Sequence, residues 1–378
     1  MRVSEVSPSP SERVSVIVPV LGWSKTLEDT LGKLVADPHP AKEIIVAIDE
    51  PTEKSMELVE RFGRDVRFKL SDRRRGKVRA IDDCYSSSSG DVLIFLDSDI
   101  VIKTPDLISR TASQIRGFDM LEMKKGVVIE GLLSNIIYYE YVGFNAANWM
   151  MARRMKKTLG VNGAGFAITR EAYARIGGFK AVISEDLDLG LRAYLHDLSF
   201  KYADDIQVDT FAPPTLKRWW AQRKRWAYGT SVWFHDNYRP LFSALKRHPG
   251  ILGTALIMIF PAVLSALFGL TFKNVAAIDL FALLMLTLSS RSFPIFIPAF
   301  IPYGALPNLF SIGLSLLVGL MGYSFVYLYF TRRLGYHFNP VYFLLYYIVY
   351  SPVWFVAMVW GLITVFVRKE TVDIDWKI

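Results

Sequence analysis

One cysteine, Cys84, stands in 378 residues, so no disulfide can close within the chain and no cysteine cluster can hold zinc. Histidine is nearly as scarce. His39, His196, His235, His248 and His337 share no metal-ligand spacing, and no role is assigned to any of them. Met1–Pro10 is polar and lacks the apolar stretch of a secretory leader, so no signal peptide is expected there. With the missing disulfide, this fits a reducing compartment. The phosphate-loop pattern GxxxxGK[ST] is absent, as are internal repeats and low-complexity tracts. Charge is what runs out along the chain: of 80 charged side chains, 11 lie beyond residue 250. The composition is 52% hydrophobic, 14% aromatic and 21% charged, which excludes a disordered tail protein, a collagen-like fibre and a coiled coil.

What is present divides in two. The first 250 residues read as water-soluble and carry 37 basic and 32 acidic groups, within a total net charge of +8. Beside a membrane segment, that basic balance suits an anionic lipid face or a phosphate-bearing substrate and not nucleic acid. Arg13–Val20 (RVSVIVPV), Lys42–Ile48 (KEIIVAI), Val66–Leu70 and Val92–Leu96 (VLIFL) are predicted strands. Lys25–Ala36, Met56–Phe62 and Lys77–Tyr85 are predicted helices between them. This alternation predicts an α/β domain with a mostly parallel sheet covered on both faces. Ligands of such sheets gather at the carboxyl ends of strands, where Asp49 and Asp97 fall.

From Ile251 on, four transmembrane helices are predicted: Ile251–Phe272, Val275–Leu288, Leu309–Phe330 and Val341–Val367. Ser292–Pro307 holds four prolines and reads as an interfacial or broken segment. Lys217, Arg218, Arg223, Lys224, Arg225, Arg239, Lys246 and Arg247 crowd the approach to the first span. By the positive-inside rule they place the soluble domain in the cytoplasm, and four spans return the tail to the same side.

Five constellations could carry chemistry, each beside a plainer structural reading. Asp97-Ser98-Asp99 follows an apolar strand directly. Two carboxylates so placed suit Mg²⁺ or Mn²⁺ beside a diphosphate, or a solvated turn. Arg73–Arg79 is a basic loop with Gly76 and Lys77 opening a helix, suited to phosphate or simply to a solvated surface. In Ser184-Glu185-Asp186, Ser184 is expected to cap the next helix, and Asp186 is a candidate general base. Asn162–Phe166 is a glycine-rich turn that would let a ligand approach the backbone. Trp219–Trp233 (WWAQRKRWAYGTSVW) places Trp219, Gln222, Trp226 and Trp233 on one helical face with Arg225 at its edge. That face suits either a sugar diphosphate, with Gln222 and Arg225 as its buried polar pair, or a membrane surface.

In chain order, a strand ending at Asp49, Arg-Gly-Lys, Asp-x-Asp, Gly-Ala-Gly-Phe, Glu-Asp, Gln-x-x-Arg-Trp and then membrane spans resembles the family 2 glycosyltransferases. It looks most like the membrane-embedded branch of hyaluronan, chitin and cellulose synthases and ceramide glucosyltransferase. The resemblance implies a GT-A type, Rossmann-like domain over 13–250, after a flexible tail at 1–12. It implies interfacial helices near 134–155 and 215–247, a transmembrane domain at 251–367 and a cytoplasmic tail at 368–378. It implies an inverting transfer from a nucleotide-diphosphate sugar, a UDP-sugar first, to a glycan or lipid hydroxyl, with Mg²⁺ or Mn²⁺. By position, Asp186 would be the base. Pro19, Asp49, Lys77, Asp97, Ser98, Asp99, Gln222, Arg225 and Trp226 would bind the donor, with Asp99 and Asp97 on the metal. Gly163, Ala164, Gly165, Glu185 and Trp226 would face the acceptor. No obligate protein partner is indicated. The chain departs from the polymer synthases in reading no span before its catalytic domain, no gating-loop pattern and few spans. A glycolipid synthase adding one or a few sugars therefore stays open, as does a transporter subunit with a nucleotide-sensing domain.

Overall fold

The computed structural model of the chain describes residues 12–248, 258–271 and 305–369. The strands, in chain order, are Val14–Leu21 (β1), Lys42–Asp49 (β2), Val66–Ser71 (β3), Val92–Leu96 (β4), Ile100–Ile102 (β5), Met120–Val128 (β6), Gly165–Thr169 (β7) and Phe200–Phe211 (β8). The helices between them are Leu27–Ala36 (α1), Glu53–Phe62 (α2), Lys77–Ser87 (α3), Leu107–Ile115 (α4), Leu132–Met155 (α5), Arg170–Arg175 (α6) and Glu185–Leu195 (α7), and Leu216–Arg247 (α8) follows β8. One sheet runs β3-β2-β1-β4-β7-β6-β8-β5. Four of its seven pairings are parallel, and β7 is the reversed strand in the middle. The four predicted strands and three predicted helices all form within a few residues of their expected bounds.

The unbroken apolar runs follow from burial on both faces. Val14, Val16 and Val18 of β1, Ile44 and Val46 of β2, and Ile94 and Leu96 of β4 share a core with Leu27 and Leu31 of α1 and Leu107 and Ile108 of α4. The alternate residues Ile17, Ile45, Leu93 and Phe95 are buried as well. On that side Phe95 stacks on Phe166 at 5.2 Å and meets Phe179 edge-on at 5.4 Å. Each such ring adds about 0.5–1.5 kcal/mol beyond its buried area.

The described residues fall into two compact units: 12–248 with 357–369, and 258–271 with 305–356. In the second unit, Pro261–Thr271 (α9) packs on Ala305–Arg333 (α10), and Ser311 Oγ donates to the Gly269 carbonyl at 2.7 Å. Pro340–Leu345 (α11) begins at Asn339, whose side-chain oxygen accepts from the amides of Val341 and Tyr342. It continues through a π-helical turn, Tyr346–Tyr350, into Ser351–Leu362 (α12) and a last π-helical stretch, Ile363–Arg368. Ser311–Arg333 and Pro340–Arg368 are long and apolar enough to cross a membrane, by length and composition. They coincide with two of the predicted spans. The predicted span Val275–Leu288, residues 1–11, and most of Ser292–Pro307 and of the tail lie outside the described residues. The predicted span Ile251–Phe272 is described over 258–271 alone.

Candidate active site

Because β1, β2, β3 and β4 are parallel, their carboxyl ends share one edge of the sheet. β7 runs against β4 with Gly165 opposite Leu96, so β7 starts at that same edge. Register alone therefore carries the Asn162–Ala164 turn next to Asp97. A Cβ built on Gly163 would stand 3.0 Å from Lys77 Nζ, 3.7 Å from Asp97 Oδ2 and 3.9 Å from Asp186 Oδ2. Lys77 Nζ in turn pairs with Asp97 Oδ1 at 2.9 Å and with Glu185 Oε1 at 3.1 Å. Five predicted site residues, from four separate stretches of sequence, thus meet around one ammonium group.

The electrostatics follow from three carboxylates and one lysine in a confined space. Burial alone would lower the Lys77 ammonium. Asp97, Glu185 and Asp186 reverse that and hold it above its ordinary range. Asp186 is pushed up to about 6, first by burial and then by the charge of Glu185. Its Oδ1 accepts the Leu187 amide at 2.8 Å, which fixes the carboxyl in the first turn of α7. Asp99 is raised as well, by burial and then by Asp97.

Asp49 has a role inside the protein. Its carboxylate accepts from the backbone amides of Arg75 at 2.7 Å and Gly76 at 2.9 Å, and from Arg75 Nε at 3.2 Å. It folds the basic loop back onto the end of β2 and so aims the start of α3. Gly76 makes that turn with φ +92°, a conformation side chains disfavour. Pro19 is half-buried near the end of β1, opposite Ala47. Ser98 holds the Asp-x-Asp turn by its carbonyl, which accepts from Thr26 Oγ1 at 2.9 Å. Ala164 is buried, its amide turned onto Asn162 Oδ1 at 3.0 Å. A Cβ on Gly165 would sit 3.1 Å from Val208, so Gly165 serves packing as well as access.

Two expectations need correction. Ser184 makes no capping hydrogen bond; it turns into α7 with φ +62°, in the left-handed region, so its hydroxyl is not aimed at the amides it would cap. The buried polar residue of the tryptophan helix is Arg223, at 1% exposure, and not the pair Gln222 and Arg225, which are half-buried. Arg223 pairs with Glu140 of α5, itself fully buried. It donates to Gln222 Oε1 at 3.0 Å and lies 4.2 Å from the centre of the Trp226 ring. Helical periodicity left Arg223 off the tryptophan face, as one of the basic residues before the first span, because it does not register the Glu140 carboxylate on α5. Burial lowers the Arg225 guanidinium, and the charge of Glu185 opposes this.

A second buried pair escaped the sequence altogether. Lys125 Nζ donates to Glu122 Oε1 at 3.1 Å, to the Met123 carbonyl at 2.9 Å and to the Gly165 carbonyl at 2.5 Å. Burial raises Glu122 and lowers Lys125; each opposes the other's shift, and Asp97 and then Asp186 add to the opposition at Lys125. The backbone of Asn162 and the side chain of Asn148 also bond to Glu122. The glycine turn is therefore braced from below, by Glu122 at one end and Lys125 at the other.

Comparison with known proteins bears on the family and the fold. Residues 10–229 match the family described as glycosyltransferase like family 2. The chain belongs to this family. It is 25% identical over 235 residues to poly-β-1,6-N-acetyl-D-glucosamine synthase of Staphylococcus epidermidis, covering 58% of this chain and 54% of that one. It is 28% identical over 238 residues to a probable glycosyltransferase of Bacillus subtilis, covering 57% and 55%. The chain spans about half the length of these curated relatives. Its fold is similar to that of a mannosyltransferase of Pyrobaculum calidifontis solved with GDP-mannose and Mn²⁺, with a TM-score of 0.50, 19% identity, and coverage of 82% and 88%. At that identity the likeness concerns the fold, which is the GT-A-like α/β sheet expected.

The residues present at this edge of the sheet fit a divalent cation. Asp97 and Asp99 are acids one residue apart, and the charge of Asp97 raises Asp99, so a cation between them would relieve the repulsion. Among the described residues no third His, Cys, Asp or Glu joins them. Two carboxylates with the remaining ligands drawn from a diphosphate is the usual arrangement for Mg²⁺.

Proposed function

We propose that this chain is an inverting, membrane-bound glycosyltransferase. It moves a sugar from a nucleotide-diphosphate sugar, a UDP-sugar in the first instance, to a hydroxyl of a growing glycan, with its catalytic domain in the cytoplasm. The observation that carries the reading is the cluster of Lys77, Asp97, Glu185 and Asp186 around Gly163 at the carboxyl edge of the sheet. Lys77 and Arg225 supply positive charge to the diphosphate, and Gln222 a neutral donor. The α-carbon of Gly163 leaves room for the sugar above the carboxylates. Asp186 takes the proton of the acceptor hydroxyl, the oxygen attacks the anomeric carbon from the far side, and the nucleoside diphosphate leaves in the same step. A carboxyl held near 6 is mostly ionised at neutral pH yet basic enough to share a proton. Asp97 and Asp99 are the residues that would hold Mg²⁺ or Mn²⁺, which when bound supplies charge neutralisation to the departing diphosphate.

A polymer acceptor is favoured over a lipid by the curated relative named as a poly-N-acetylglucosamine synthase. The test incubates the protein in lipid with Mn²⁺ and radiolabelled UDP-N-acetylglucosamine, UDP-glucose or GDP-mannose, then separates lipid-extractable from polymeric product. Label in the polymer, lost in EDTA and in Asp99→Asn, is the expected result. Label confined to the lipid fraction replaces the polymer reading with glycolipid synthesis. Full activity in EDTA removes the metal assignment.

A further inference from the structure

The Gln222–Trp226 stretch contains a residue that none of the roles above uses. Arg223 sits between the two helix positions proposed to meet the donor, yet its own side chain turns inward. Its guanidinium makes three kinds of contact at once. Nη2 is paired with Glu140, 83 residues earlier on α5. Nη1 donates to Gln222 Oε1 at 3.0 Å. The carbon at its centre lies 4.2 Å from the Trp226 ring centre and 5.9 Å from that of Trp219.

The consequence for Gln222 is chemical. An amide presents an acceptor at one end and two donors at the other, and which end faces a ligand is set by its hydrogen bonds. Because the carbonyl end of Gln222 is held by Arg223, the NH₂ end remains for a ligand. A diphosphate offers only acceptors, so a Gln222 flipped the other way would present oxygen to oxygen. The same guanidinium lies over the Trp226 ring, 4.2 Å from its centre, a contact that favours one setting of that ring. The Glu140 carboxylate, fully buried, fixes the guanidinium in turn.

We propose that Arg223, held by Glu140, is a positioning residue that sets the amide of Gln222 donor-outward and holds the Trp226 ring. This rests on the reading of the site as a nucleotide-sugar site, and the experiment separates the two. Breaking one half of a buried ion pair leaves a stranded charge and can unfold the protein, whereas replacing both halves with apolar groups is often tolerated. The informative variant is therefore Arg223→Met with Glu140→Met, compared with wild type, with Arg223→Lys, and with Gln222→Glu. Lysine keeps the charge for Glu140 but cannot reach Gln222 and Trp226 with one planar group. Glutamate keeps an oxygen for Arg223 but turns a second oxygen toward the donor.

Thermal unfolding, and binding of UDP and of GDP in Mn²⁺ measured by calorimetry on detergent-solubilised protein, are the readouts. The expected result is a double variant with a near-native melting temperature whose affinity for the bound nucleotide is at least tenfold weaker. Arg223→Lys should weaken binding similarly, and Gln222→Glu still more. A double variant that binds as tightly as wild type overturns the proposal, since the pair would then be a fold contact only. Gln222→Glu binding like wild type overturns it too. Wild-type protein that binds neither nucleotide overturns the donor-site reading, and the role given to Arg223 with it.

Discussion

At pH 7 a carboxyl held near 6 is about nine-tenths ionised, so Asp186 is ready as a base, but only one pH unit separates it from being disabled. The sign is set by the role: a base must be unprotonated, so kcat/KM for transfer should be flat above about pH 7 and fall about tenfold per unit below 6. Burial is the larger cause of the raised value and Glu185 the next. Glu185→Gln removes the like charge and also frees Lys77 from one of its partners, and both effects favour the Asp186 carboxylate. Its acid limb should therefore move to lower pH, in a pH–rate profile measured at saturating acceptor. A limb that stays in place assigns the shift to burial alone. Gly163 gives a second test at this scale. An added methyl would meet the far end of Lys77, which can swing aside, so Gly163→Ala should melt close to wild type. The methyl would nevertheless occupy the space between the ammonium and the carboxylates. A rise of about tenfold in donor KM is expected, equivalent to ~1.4 kcal/mol; an unchanged KM would place the donor elsewhere.

Among the elements, the sequence was readable where one signal governs and opaque where tertiary packing does. Strands β1, β2 and β4 are continuous β-branched runs, which only burial on both faces permits, and they formed as predicted. Asp49, Lys77, Asp97 and Asp186 could be singled out because each stands where a regular element begins or ends. Strand β6, Met120–Val128, was not readable. Glu122, Lys124 and Lys125 break its apolar pattern, yet all three are buried. Pairing with β7 and β8 overrides a composition that alone would predict a surface loop. Arg223 was lost for the same reason: helix periodicity ranks faces by hydrophobicity and is blind to a carboxylate waiting on another helix. The Glu122–Lys125 pair leads to a prediction at this scale. Lys125→Met strands the Glu122 charge and lets go of the Gly165 carbonyl, and should cost about 3–5 kcal/mol. Adding Glu122→Leu should restore most of that loss in a thermal melt. Transfer should stay low in the double variant, because the glycine turn has lost both braces. Full recovery of transfer would mean the pair stabilises the fold without shaping the site.

Across the whole molecule, one stretch of membrane-like composition enters the unit that holds the candidate site. The long apolar stretch Pro340–Arg368 is membrane-like in composition, yet its residues from 357 to 368 group with the unit that holds the candidate site. Within that unit, a Cβ built on Gly361 would stand 2.6 Å from the Ala227 carbonyl and 2.8 Å from Ser231 Oγ, both on α8. Phe366 meets Phe234 at 6.0 Å, and the Lys224 ammonium lies 5.2 Å from the Trp360 ring centre. Ala227 directly follows Trp226, so the backbone that receives Gly361 is the backbone that presents the Gln-x-x-Arg-Trp box. Glycine is required there by close approach: the atom in the way is a helix carbonyl, which cannot rotate aside as a side chain can. Gly361→Val should therefore push α8 by a few tenths of an ångström or more, at a cost of about 1–3 kcal/mol of overpacking. The hydropathy of the stretch would not fall, so the protein should remain in the membrane fraction after carbonate extraction. Sugar transfer by that fraction should drop at least about tenfold. Ile363→Val, at an exposed position two residues on, is the control and should leave transfer unchanged. If Gly361→Val transfers as well as the control, the contact with α8 is incidental to the site, and the last helix serves the membrane alone.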